Sequence, residues 1–136
     1  MSSDRRQIRI PEPDAMAVQL CAGRTAAGAA MLALPVLSAR LLGADSATAK
    51  RVSWLTRMMA VRDAAIGAGG LAAARGTGSP GPWLIAGAVS DAVDAIVLTQ
   101  ALRQGRAKGL TATAVVPVAA GSAAIGVVTA LRLRRR

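Results

Sequence analysis

The sequence predicts an all-α fold, a four-transmembrane-helix antiparallel bundle, and three observations carry that prediction. The first is composition. Of 136 residues, 53% are hydrophobic, yet Phe, Tyr and His are absent and only two Trp occur. Mean hydropathy is +0.42. The apolar content is mostly Ala and Val, which bury little area each, so a water-soluble core made from them competes poorly with the entropy of ordering the chain. In a bilayer the same small residues let helix backbones approach closely, and packing drives association. The second observation is length. Three apolar stretches are each about 20 residues, the span of a roughly 30 Å hydrocarbon layer as a helix, and a fourth is somewhat longer. The third is punctuation, since Gly, Pro and basic residues separate the stretches. The length suits one domain.

Residues 1–14, MSSDRRQIRIPEPD, are charged and aperiodic and read as a polar N-terminal tail. Arg5, Arg6 and Arg9 resemble the basic region of a signal peptide, but the apolar segment behind them is long and holds Arg24, which favours a first anchor helix over a cleaved signal. The first span covers about 15–42, with Pro35 expected to kink it. Gly43 suits a helix C-cap, and Asp45 or Ser46 the next N-cap. The second span covers about 53–74 and ends at Arg75-Gly-Thr-Gly-Ser-Pro-Gly-Pro, the clearest loop in the chain. The third covers about 83–102, and Arg103, Arg106, Lys108 and Gly109 connect it to the fourth, about 110–131, which contains Pro117 and the small residues Gly121, Ser122 and Gly126. Residues 132–136 form a basic C-terminal tail. Trp54 and Trp83 begin the second and third spans, where an indole suits the membrane interface.

The net charge is +10, from 17 Lys and Arg against 7 Asp and Glu. Arg far outnumbers Lys amid abundant Ala and Gly, a skew typical of GC-rich coding such as that of actinobacteria. No basic face is interleaved with aromatics for base stacking, so nucleic acid is not an expected partner. Most basic residues flank the apolar stretches, facing anionic head groups. Eight of them (Arg5, Arg6, Arg9, Arg75, Arg132, Arg134, Arg135 and Arg136) lie on the side of the termini in a four-span topology, against six (Arg40, Lys50, Arg51, Arg103, Arg106 and Lys108) on the other. The positive-inside rule therefore expects both termini in the cytoplasm of a bacterial inner (plasma) membrane. Cys21, the single cysteine, excludes an intrachain disulfide and reads as a packing residue. With one thiol and no histidine, no metal or other cofactor is expected.

Charges inside the apolar stretches are the candidate site: Arg24 in the first, Arg62 and Asp63 in the second, Asp91 and Asp94 in the third. Each is costly within a bilayer and needs a partner. Asp91 and Asp94, three apart, share a helix face with Gly87 and Leu98. Asp63 heads a small-residue track of Gly67, Gly70 and Ala74, and Arg62 lies about 100° around the helix from it, so the two need not pair. Arg57, nearer the Trp54 end, is free to snorkel. Two positive and three negative charges suit interhelical ion pairs that fix register, with Arg62 reaching Asp91 or Asp94. The alternatives are a cation or proton pathway along the paired carboxylates, and a metal-binding Asp-x-x-Asp of a lipid-modifying enzyme. Against the pathway, four Ala-rich helices are expected to leave little room for a solvated cavity.

At Arg62-Asp63 with Ile66-Gly67, at Asp91-Ala-Val-Asp94, and at Leu34-Pro35 and Leu42-Gly43, the chain resembles a family of small four-helix bacterial integral membrane proteins of unknown function. That family carries an Arg-Asp motif in its second helix and Asp-x-x-Asp in its third, and the resemblance covers about residues 16–133. It implies the fold and no activity. The expected function is a non-catalytic accessory or stabilising subunit of a larger membrane complex, such as a transporter (of lipids, for example) or a respiratory assembly. Its partners are then the lipid bilayer and other membrane proteins. The alternative is a small ion- or proton-coupled transporter using the intramembrane aspartates.

Overall fold

The computed structural model describes residues 12–76, 78–108 and 110–135, leaving most of the N-terminal tail, with Arg5, Arg6 and Arg9, outside the described residues. Those residues form six helices: α1 (Pro13–Ala33), α2 (Pro35–Leu41), α3 (Ser46–Arg51), α4 (Ser53–Arg75), α5 (Gly81–Arg103) and α6 (Leu110–Arg134). Among the described residues there is no strand, and the chain is all-α.

The first stretch is not one kinked span. Helix α1 stops at Ala33, and α2 leaves it at an angle of 108°. Pro35 disfavours helical backbone at the residue before it, and Leu34 sits at φ −126°, ψ 55°. Pro35 then opens α2, where its missing N–H costs nothing. Gly43, at φ +92°, reverses the chain after α2, and its N–H donates to the Arg40 carbonyl. A side chain there would overlap the Lys108 backbone, so this turn packs against the α5–α6 connection. Asp45 caps the short helix α3, accepting from the Ala47 and Thr48 amides at 2.9 and 3.0 Å. Helix α6 runs through Pro117 and takes in Arg132 and Arg134, which leaves less basic tail than expected.

The four long helices form two close pairs, α1 with α4 and α5 with α6, which meet more loosely along α4–α5 and α1–α6. In the α1–α4 seam, Ala17, Cys21, Arg24 and Gly28 face Thr56, Ala60, Asp63, Gly67 and Gly70, both rows advancing in steps of three and four. Added Cβ atoms at Gly28 and Gly67 would lie 2.5 Å from Ala64 N and from Thr25 Oγ1, so the two helices touch backbone to backbone in an antiparallel sense. Helix α4 then meets α5 through Trp83, whose ring lies over Gly69.

The apolar side chains are distributed inside out. The buried core is mostly Ala, with Cys21 and Leu84, whereas Leu55, Val61, Val89, Val93, Ile96, Val97 and Val118 are exposed. Among the described residues, no large side chain is fully buried.

Two helices, α5 and α6, are long and apolar enough to cross a membrane, and the bent α1–α2 pair qualifies only when counted as one broken span. The expectation of four spanning helices is met for these two. Any 18 consecutive residues of α4 include three charged side chains, drawn from Arg57, Arg62, Asp63 and Arg75, which keeps it from qualifying on composition.

Candidate functional site

The five candidate charges come together in one chain of ion pairs: Asp91, Arg24, Asp63, Arg62, Asp94. Arg24 projects from α1 towards both α4 and α5. Its Nη1 donates to Asp63 Oδ1 at 3.1 Å, and its Nη2 donates to Asp91 Oδ2 and to the Gly87 carbonyl at 3.2 Å. Arg62 on α4 donates through Nε to Asp63 Oδ1 at 3.2 Å and through Nη2 to Asp94 Oδ2 at 2.7 Å, with a longer Nη1 contact to Asp94 Oδ1. The side chains of Arg24, Asp63 and Asp91 are 15%, 17% and 13% exposed, while Arg62 and Asp94 are about one-third exposed.

Local sequence explains the geometry. Arg24 lies on the α1 face that carries Cys21 and Gly28, so seating that face on α4 drives the guanidinium across the seam. Asp91 and Asp94 sit one turn apart on α5 and, rather than converging on a shared ligand, take different guanidiniums. Asp63 is the hinge of the chain, since one oxygen accepts from both arginines. Two details differ from the sequence reading. Arg62 and Asp63 do pair, because the arginine stem is long enough to fold back across the angular offset. Gly87, which shares the Asp91 face, is itself part of the site. A Cβ there would lie 2.9 Å from Arg24 Nε, so its bare backbone makes the slot in which Arg24 lies and supplies an acceptor. A glycine four residues before an Asp in an apolar stretch is the available signal.

Beside the chain runs a cavity of about 770 Å³ between the α1–α4 and α5–α6 pairs, contrary to the expectation of little space. It extends from Trp83 and Leu84 at the start of α5 to Ala101 near its end, and Ser38 and Leu41 of α2 and Leu42 just after it also line it. Arg24, Asp63, Asp91 and Asp94 line it midway, and Arg62 stands behind the wall. The cavity survives because the two helix pairs meet far more loosely than the helices within each pair, and its lining mixes small residues such as Gly23, Ala27 and Gly87 with larger ones such as Leu20, Met31 and Trp83. Cys21 is buried against Gly70. Among the described residues, no three His, Cys, Asp or Glu side chains gather to hold a metal ion.

What the fold and site define is an all-α protein with two helices able to cross a membrane and an interhelical chain of charges at mid-helix. Compared with protein-family models, curated proteins and solved structures, the chain matches none.

Proposed function

We propose that the chain is a four-span helical protein of a bacterial inner membrane, with both termini cytoplasmic. Its role on this reading is that of a non-catalytic accessory or stabilising subunit of a larger membrane assembly, such as a transporter or a respiratory complex. The observation that carries the reading is the inverted distribution of apolar groups: small residues pack the helices while Val89, Val93 and Ile96 are exposed on α5. Within a bilayer the arginines and aspartates of the site need partners, and each has one, which supports a clasp that sets helix register. The resemblance to small four-helix bacterial membrane proteins agrees with this placement. In such a bundle α4 crosses with its four charges turned to the seam or snorkelling at its ends.

Extraction in a mild detergent tests the role. The expected result is a stoichiometric complex with another membrane protein that the Val89→Ala, Val93→Ala, Ile96→Ala triple variant releases without losing helix content. A lone monomer in the native extract overturns the accessory role.

One observation favours a second reading, a small ion- or proton-coupled transporter: Asp63, Asp91 and Asp94 all line the cavity. Its mark is a measurable flux that Asp91→Asn abolishes while expression and helicity persist. A lipid-modifying enzyme using Asp-x-x-Asp draws no support from carboxylates that turn to separate guanidiniums.

A further inference from the structure

The cavity beside the ion-pair chain has the dimensions of a small-molecule site, since such sites enclose roughly 300–1,000 Å³ and this one holds about 770 Å³. Its walls are largely apolar, with Gln19, Ser38 and Ser122 as neutral polar groups and one charged band where Arg24 and the three aspartates reach the surface. That band is not electrically balanced. Three carboxylates and one guanidinium line the cavity, and even with Arg62 behind the wall the five-residue chain carries three negative charges against two positive. Asp91 holds Arg24 through Oδ2 alone and ends the chain, whereas Asp94, at the other end, accepts from Arg62 through both oxygens. An uncompensated negative charge in a low-dielectric site attracts a countercharge, and the long apolar walls ask that the countercharge ride on an apolar body.

We propose that this interhelical cavity binds a lipophilic organic cation, its charge set against Asp91 and Asp94 and its apolar groups against the walls formed by α1, α5 and α6. A bare metal ion fits less well, because the carboxylates diverge towards different arginines and offer no convergent shell. An anionic amphiphile meets the wrong sign of charge. The proposal rests on the membrane placement above and is independent of the accessory role.

Trp83 lines the cavity, whereas Trp54 is 59% exposed at the start of α4, so a Trp54→Phe variant leaves Trp83 as the sole fluorescent reporter. The experiment titrates this variant, purified in detergent, with tetraphenylphosphonium and, separately, with tetraphenylborate, an anion of the same shape. Equilibrium dialysis against empty micelles corrects for partitioning. The expected result is saturable quenching of Trp83 at one cation per chain, with the anion bound at least about tenfold more weakly. Asp91→Asn is expected to weaken cation binding by a similar factor. Should that variant lose helicity, Gly23→Leu provides the second arm. Gly23 lines the cavity, and a Cβ there meets no heavy atom within 4 Å, so the substitution fills the space and blocks the cation while leaving the charges alone. Equal binding of the two ions, or cation uptake no greater than that of empty micelles, overturns the proposal. A failure of membrane placement would show separately, as protein recovered without detergent.

Discussion

Replacing Arg24 by Met should destabilise the protein far more than replacing Asp91 by Asn, although both substitutions break the same ion pair. Met keeps most of the apolar stem, so packing changes little and the loss is electrostatic. Arg24 makes three contacts: with Asp63 Oδ1 at 3.1 Å, with Asp91 Oδ2, and with the Gly87 carbonyl at 3.2 Å. Its removal leaves Asp91 with no guanidinium and Asp63 with Arg62 only. Breaking a buried pair by removing one partner costs about 3–5 kcal/mol in soluble proteins, and a membrane-embedded reference state that finds other partners reduces that. With the Arg24, Asp63 and Asp91 side chains only 15%, 17% and 13% exposed, water screens the loss weakly, and about 3 kcal/mol is expected. Asp91→Asn removes one charge from a cluster that has a negative excess, and Arg24 retains Asp63 and the Gly87 carbonyl. Asn still offers an oxygen acceptor, so about 1 kcal/mol is expected. The assay is unfolding in mixed micelles with rising dodecyl sulfate content, followed by helical circular dichroism. Equal losses for the two variants, or losses below about 0.5 kcal/mol for both, would refute the reasoning, because surface-like pairs behave that way.

The α1–α4 seam predicts that Gly67→Ala costs about 2 kcal/mol by overpacking, since its Cβ would lie 2.6 Å from Thr25 N and 2.7 Å from Cys21 O. Gly121→Ala, with no heavy atom within 4 Å of the added group, should stay within about 0.5 kcal/mol in the same micelle assay. Asp45 accepts from Thr48 Oγ1 at 2.6 Å and from the Thr48 and Ala47 amides, and these bonds hold its carboxyl below the usual carboxylate range. A depressed folded value contributes stability that is present above the unfolded value and is lost as pH falls through the folded one. Hydrogen exchange at the Ala47 and Thr48 amides, corrected for intrinsic rates, should therefore lose protection on acidification. Asp45→Asn should show no such pH dependence, and an identical profile in the two proteins would remove Asp45 as the cause.

The identity of the five site residues was legible because a charge in an Ala- and Val-rich stretch announces itself against its neighbours. Helix ends at Gly43 and near the Gly-Pro loop were legible for the same reason, since Gly and Pro act locally. The pairing was not. Arg24 bridges Asp63 and Asp91 only because α1, α4 and α5 meet at one level, which is a property of tertiary packing, and Arg62 bends back to Asp63 through rotamers that sequence spacing does not specify. The break after Ala33 exceeded the expected kink because Pro35 starts a new helix instead of bending an old one. The cavity was hidden for a related reason: small residues predict close approach within each helix pair and say nothing of how two pairs meet. The number of spans is where composition and fold part most clearly. Helix α4 has a spanning helix's length but carries charges that only its neighbours can shield.

Whether all four long helices cross the bilayer around the ion-pair chain is decided by where the α2–α3 turn and the α4–α5 loop lie. In a Cys21→Ala background, Ser46→Cys, Gly78→Cys and Ala107→Cys variants are treated in spheroplasts with a membrane-impermeant maleimide, before and after permeabilisation. In a four-span bundle with cytoplasmic termini, Ser46→Cys and Ala107→Cys react from outside, and Gly78→Cys reacts only once the membrane is opened. If Ser46→Cys and Gly78→Cys react from the same side, α4 does not cross, and the four-span account is contradicted.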